Sequence, residues 1–173
     1  MNKIILLICI FSIIVLLPVS KVFAQASVTA RASAEVIQVL TATETAELNF
    51  GRFSPESSGG LVKLTTDGTR TSAGTVALSG GTANSAIFYI TGQYNATFSI
   101  VLPSGPAILT NSVSAKTMEV SSWESFPAAG LGTGLLSDGT KSVNIGATLK
   151  VGNMIDNPVG IYTGTYAVTF SYN

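Results

Sequence analysis

No histidine occurs in the 173 residues, and the single cysteine is Cys9. Without imidazole there is no Ser-His-Asp triad, no ordinary neutral-pH general base and no usual zinc site. Thiol nucleophiles are limited to one residue inside an apolar leader. Charge is scarce as well, at 10% of the chain, and no run of Lys or Arg exists. A groove that tracks phosphates, and with it nucleic acid as a partner, is therefore excluded. No Asp-x-Asp-x-Asp-Gly calcium loop is present, so neither metal nor cofactor is expected. A carboxylate pair is what remains for catalysis. The candidates are Glu119 and Glu124, with Asp138 and Asp156 further on. In an extended strand, residues five apart face opposite sides, so the expectation is a non-catalytic protein.

What is present begins with an export signal. Lys3 is followed by an almost unbroken apolar run from Ile4 to Leu17, then Pro18, then Val22-Phe23-Ala24 with small or modest side chains at its ends. That is the layout of a secretory signal peptide. Cleavage is expected after Ala24, with Ala26 as the second site. The alternative is an uncleaved membrane anchor, but the run falls short of the roughly 20 residues that span a bilayer. The division is thus 1–24 signal peptide and 25–173 a single domain, with no membrane span after cleavage. Losing Lys3 and Lys21 from the nine cations leaves seven against nine anions. Such a weakly charged Ser/Thr/Asn/Gly surface suits a subunit that associates. Export without cysteine leaves stability to the core, and about 150 residues bury roughly 70% of their unfolded surface.

No long 3.6-residue apolar pattern follows residue 24. Short alternating segments between turn signals recur instead. Residues 26–36 alternate with Val28, Ala30, Ala32, Ala34 and Val36 on one face. Strands are expected over 46–53, 60–66, 74–78, 86–91, 96–102, 107–110, 118–123 and 142–151. Residues 54–60 and 126–136 read as loops. Asp67-Gly68 and Asp138-Gly139 read as tight turns. Asn95-Ala96-Thr97 matches a glycosylation acceptor but reads as a turn Asn opening a strand. The last strand is expected over 162–172, with Tyr166, Val168, Phe170 and Tyr172 on one face. Burying those four is worth on the order of 8 kcal/mol. Nine or ten strands strain a single sheet, so the fold expected is an all-β, two-sheet antiparallel sandwich with Greek-key links. Trp123 sits among Ser121, Ser122, Glu124 and Ser125. It reads as a core Trp capping the sandwich, or as a contact that stacks on a sugar.

Three stretches carry a resemblance: Leu48-Asn49-Phe50-Gly51-Arg52-Phe53, then Phe88-Tyr89-Ile90-Thr91-Gly92 leading into Tyr94-Asn95-Ala96-Thr97-Phe98, then Gly160-Ile161-Tyr162-Thr163-Gly164 through Tyr172-Asn173. In this order they resemble an uncharacterised family of bacterial secreted β-sandwich domains. The ending is also similar to that of chaperone–usher pilin subunits, which close on an alternating strand with a penultimate Tyr and an upstream Gly. Tyr172 and Gly160 occupy those places. The resemblance implies an incomplete immunoglobulin-like subunit, finished by β-strand addition from a neighbour. Gly160, Tyr166, Val168, Phe170 and Tyr172 would form its assembly strand. Val28, Ala30, Ala32, Ala34 and Val36 would form a donor. The implied partners are sister subunits, a periplasmic chaperone and an outer-membrane usher, in a Gram-negative periplasm and at the cell surface.

Two readings follow from different classes: an exported structural or adhesive subunit, and a self-contained secreted binding module using Trp123 and residues 125–136. Truncation at Gly164 is expected to abolish soluble export, read by immunoblot of the exported fraction; a stable truncated monomer would contradict the weight given to the last strand.

Overall fold

The computed structural model describes residues 24–173, and the expected signal peptide, with Cys9, lies outside the described residues. The chain divides into a unit ending at Glu35 and a compact unit Val36–Asn173. In the first, residues 24–35 have no regular secondary structure and are exposed throughout. The second holds eleven strands: β1 (Thr41–Ala46), β2 (Phe53–Leu64), β3 (Arg70–Leu78), β4 (Ala86–Thr91), β5 (Thr97–Val101), β6 (Ala107–Asn111), β7 (Thr117–Phe126), β8 (Gly130–Leu135), β9 (Thr140–Val151), β10 (Tyr162–Thr163) and β11 (Thr169–Tyr172). Among the described residues there is no helix.

The strands form two sheets. One runs β1-β4-β9-β7-β6-β10, with β2 paired to both β9 and β3. The other is β11-β5-β8. All pairings are antiparallel. This is the expected all-β, two-sheet sandwich.

The long strand β9 is its spine. One edge pairs with β7, while the other is shared by β4 along residues 140–145 and β2 along 147–151. At the changeover sits Gly146, where a Cβ would run into the Leu64 carbonyl. The alternation read from sequence is realised here: Val143, Ile145, Ala147, Leu149 and Val151 are all buried. Val143 and Ile145 join Ala86, Ile90, Phe98, Ile100 and Leu136 in one core cluster. Ala147, Leu149 and Val151 join Phe50, Val62, Leu64, Val76, Met118 and Val120 in the other. Leu48 and Trp123 pack against both.

Both tight turns form as expected. The β2–β3 turn closes through Gly68 N–H to the Thr65 carbonyl at 2.9 Å, and Asp67 Oδ1 accepts from Thr69 N–H at 2.9 Å. Gly139 N–H donates to the Leu136 carbonyl at 3.1 Å. Asn95 takes φ 57° just before β5, as a turn Asn does.

Four expectations are corrected. Residues 26–36 form no strand; Val28 and Val36 are 88% and 97% exposed. Alternation defines a face, but a strand also needs a partner edge and something to bury against. The strand expected over 46–53 is an isolated bridge between Asn49 and Asn84, and the ordered strand precedes it as β1. Residues 54–60 are not a loop but part of β2, whose register with β3 shifts between Pro55 and Gly60; the bulge absorbs what looked like turn chemistry. Much of 126–136 is β8, held on β5.

Phe98 is fully buried at the centre of the smaller sheet, against Phe170 at 6.2 Å between ring centroids. Phe98→Ala is expected to cost about 3–5 kcal/mol, measured by guanidinium unfolding followed by intrinsic fluorescence.

Candidate functional site: an open groove at the sandwich margin

The expected last strand is continuous in sequence but not in pairing. β10 pairs with β6 in the larger sheet, and β11 pairs with β5 in the smaller one. Between them, residues 164–168 cross from sheet to sheet and belong to no strand. Gly164 makes the crossing close, because a Cβ there would strike the Ile108 carbonyl. The face pattern holds throughout: Tyr162, Tyr166, Val168, Phe170 and Tyr172 alternate with exposed residues, yet none of the five is fully buried. Half-burial brings the expected gain of the last four down to about 4 kcal/mol.

What leaves them half-covered is a groove of about 1430 Å³. One wall is the chain from Glu44 to Pro55; the other runs from Met154 to Val168, and its floor includes Phe88, Leu109, Met118 and Leu149. β1 pairs only with β4, and β10 only with β6. Of β1 only Glu44 reaches this apolar opening, which is otherwise bordered by residues 47–55 and the crossing C-terminal segment.

The first wall is fixed from behind. Arg70 Nη1 donates to the carbonyls of Phe50 at 2.9 Å and Arg52 at 3.2 Å, and Nη2 to that of Ser79 at 2.7 Å. Asn49 and Asn84 exchange two backbone bonds, and Asn84 Nδ2 donates to the Glu47 carbonyl at 2.5 Å. The second wall is held by Tyr162, whose hydroxyl donates to the Pro158 carbonyl at 2.9 Å, and by Gly160, packed where a Cβ would meet the Asn111 amide. Beyond the groove, Tyr172 Oη accepts from Gln93 N–H at 2.6 Å and donates to the Gln38 carbonyl at 2.9 Å.

Of the residues singled out in sequence, Gly160, Tyr166 and Val168 line the groove, while Phe170 and Tyr172 lie past its end in β11. Phe170 packs on Phe88 at 5.7 Å between centroids. Val28, Ala30, Ala32 and Ala34 are exposed and unpaired with any strand. Trp123 stacks on Tyr166 at 4.7 Å between centroids, and its indole N–H donates to the Gly105 carbonyl at 3.2 Å. Tyr166 covers a ring face that a sugar would need.

The carboxylate reading also changes. Ser122 adopts φ 51° at a bulge in β7, so Glu119 pairs with Lys150 and Glu124 with Gly146. Residues opposite one another share a face, so the bulge puts both carboxylates on the same face rather than on opposite ones. Each faces a lysine: Glu119 with Lys150 at 3.8 Å and Glu124 with Lys63 at 3.4 Å. Their surroundings are those of surface ion pairs.

Sequence reasoning missed the groove's rim. Glu44, Glu47 and Arg52 line it and are exposed. The two Glu take part in neither of the ion pairs found among the described residues. No motif marks them; only the pairing of β1 reveals that they border an opening. Burial pushes the Tyr166 phenol well above its ordinary 10.0, and the Glu44 carboxylate adds to the shift. The Tyr166 hydroxyl is buried with no hydrogen-bond partner.

Residues 40–172 match the family described as Domain of unknown function (DUF4402), and the chain belongs to that family. The match covers the sandwich and excludes residues 24–39. No protein of curated function matches the chain.

Removing an unpaired buried hydroxyl relieves its desolvation penalty. Tyr166→Phe is therefore expected to be as stable as the parent at pH 7, or more so by up to about 1 kcal/mol. Because folding raises this pKa, stability falls once the unfolded chain ionises, from about pH 10 upward. Urea unfolding between pH 7 and 11 should show a flatter alkaline limb in the variant.

Proposed function

We propose that this chain is a non-catalytic, exported surface structural or adhesive subunit, pilin-like, that assembles by accepting a β-strand into its marginal groove. The observation that carries the reading is the groove itself: an apolar opening bordered by Glu44, residues 47–55 and residues 160–168, with the large C-terminal side chains only half-covered. An extended segment laid there gains main-chain hydrogen bonds from a free edge and buries alternate side chains against Leu48, Phe50, Tyr166 and Val168. Unpaired edges beside apolar surface are otherwise aggregation hazards that proteins cover or blunt. The low surface charge and the leader-like residues 1–24 support the same reading. Sister subunits are the partners this implies, with a periplasmic chaperone to cover the groove before assembly and an outer-membrane usher to export the product.

The test is biochemical. Protein released from the cell surface should run as a ladder of multimers in detergent at room temperature and collapse to one band on boiling. A monodisperse monomer in both conditions would contradict the proposal.

A further inference from the structure

Two loops meet at the end of the sandwich where β9 stops. They are the β6–β7 turn, residues 112–116, and the β9–β10 connection, residues 152–161. Asn157 Nδ2 donates to the Thr117 carbonyl at 2.8 Å, Tyr162 pairs with Asn111, and Gly160 sits against the Asn111 amide, so the two are tied together. They carry Val113, Met154, Ile155, Val159 and Ile161, which are between 62% and 100% exposed. Met154, Val159 and Ile161 also line the groove's second wall, but Val113 and Ile155 do not. The apolar cluster therefore extends past the groove. Exposed apolar surface of this kind marks contact with a protein or a membrane.

The backbone of these loops is already served. Asn111 Oδ1 accepts from the N–H of Val113 at 2.9 Å and of Ser114 at 3.1 Å. The Asn111 carbonyl accepts from Ala115 N–H at 3.0 Å, and Ser114 Oγ from Lys116 N–H at 3.4 Å. In the longer loop, Asn153 Oδ1 accepts from Ile155 N–H at 2.8 Å and Asp156 N–H at 3.0 Å, and the Asn153 carbonyl from Asn157 N–H at 2.8 Å. Pro158 has no N–H to satisfy. Each donor from 113 to 116 and from 155 to 157 is thus bound locally. Those stretches can leave water without stranding a donor, which is the condition a hydrocarbon environment imposes on a backbone. The same saturation leaves no free ladder edge there for an added strand.

The side chains favour a fluid partner over a rigid one. All five are aliphatic or thioether, and the two loops hold no Trp, Tyr or Arg, the anchors that dominate protein–protein contacts. Side chains that stand almost clear of their own surface need a hole apiece in a rigid partner, whereas lipid closes around them. Charge is balanced: Lys116 and Asp156 are the only ionic residues in the two loops, and both are exposed. The Lys116 stem is long enough to keep its ammonium in the headgroup layer. With no net charge the loops have no preference for anionic lipid, so burial of apolar area alone drives the contact.

We infer that these two loops are a lipid-surface anchor: Val113 and Ile155, with Met154, Val159 and Ile161, dip into the interface of a bilayer while the sandwich stays outside it. The contact lies on the membrane and does not cross it. The inference goes beyond the strand-accepting groove of the preceding section and does not depend on it.

The experiment uses the exported chain and its sedimentation with vesicles of phosphatidylcholine, alone or mixed with anionic phosphatidylglycerol. Binding should be equal to both and persist in high salt, which screens charge. Val113→Ser with Ile155→Ser should weaken it about tenfold and leave the multimer ladder of the preceding section unchanged. Both positions are exposed, so the pair should unfold in urea with the parent. A second readout is independent of that variant, and Cys9 is the sole native cysteine to compete with it. A polarity-sensitive dye on Ile155→Cys should shift to the blue when vesicles are added; on Ser137→Cys, exposed before the opposite end of β9, it should not. Binding to anionic vesicles alone, lost in salt, would overturn the anchor in favour of charge adsorption. Binding that ignores the serine pair, or a blue shift at position 137 and not at 155, would place the contact elsewhere and overturn it too. No binding to either vesicle would overturn it outright; if the serine pair then altered the ladder, the loops would be a contact between copies. Vesicle binding by a parent that never forms multimers would support the anchor and count against the strand-accepting reading alone.

Discussion

Backbone pairing is incomplete along one margin of this sandwich, and the rest of the molecule is arranged around that deficit. A strand edge that ends in water presents donors and acceptors at little cost; an edge beside an apolar opening leaves both its polar groups and its apolar floor imperfectly served. Here β1 pairs on one side only, and residues 164–168 leave one sheet for the other without pairing in either. The half-exposed Tyr162, Tyr166 and Val168 and the open groove are consequences of that single gap.

The fold tolerates the gap because its order is secured elsewhere. β9 threads both core clusters, so the halves of the sandwich share one continuous strand. Leu48 and Trp123 bridge the clusters, and Trp123 in turn backs Tyr166. The Arg70 guanidinium spans three carbonyls and holds the 50–52 wall without any help from the groove side. The groove is thereby preformed: both walls are held from behind, so a segment that bound there would meet a low ordering cost.

Period-two patterning made the β class and the inward faces legible in sequence. Val143, Ile145, Ala147, Leu149 and Val151 were identifiable as one buried set, as were Tyr166, Val168, Phe170 and Tyr172 as one face. Pairing was not legible, because alternation states which side chains share a face and not what covers them. Residues 26–36 alternate more cleanly than 41–46, yet only the latter form a strand, on the edge offered by β4. Bulges hid the rest. One in β2 made a strand look like a loop, and one at Ser122 moved Glu119 and Glu124 onto a common face. Glu44, Glu47 and Arg52 gave no signal at all, since isolated surface charges acquire meaning only from the opening they border.

The Tyr172 hydroxyl has a mechanical consequence. It joins the Gln38 carbonyl to the Gln93 amide, so the chain enters the sandwich through a knot of three segments. Tension applied along residues 24–37 reaches this junction before it reaches β1. From there it passes into β11, whose four residues are bonded side by side to β5. A load on that entry segment meets the two bonds of the tyrosine hydroxyl first, so the aromatic tether would act as a strain relief where the chain meets its body.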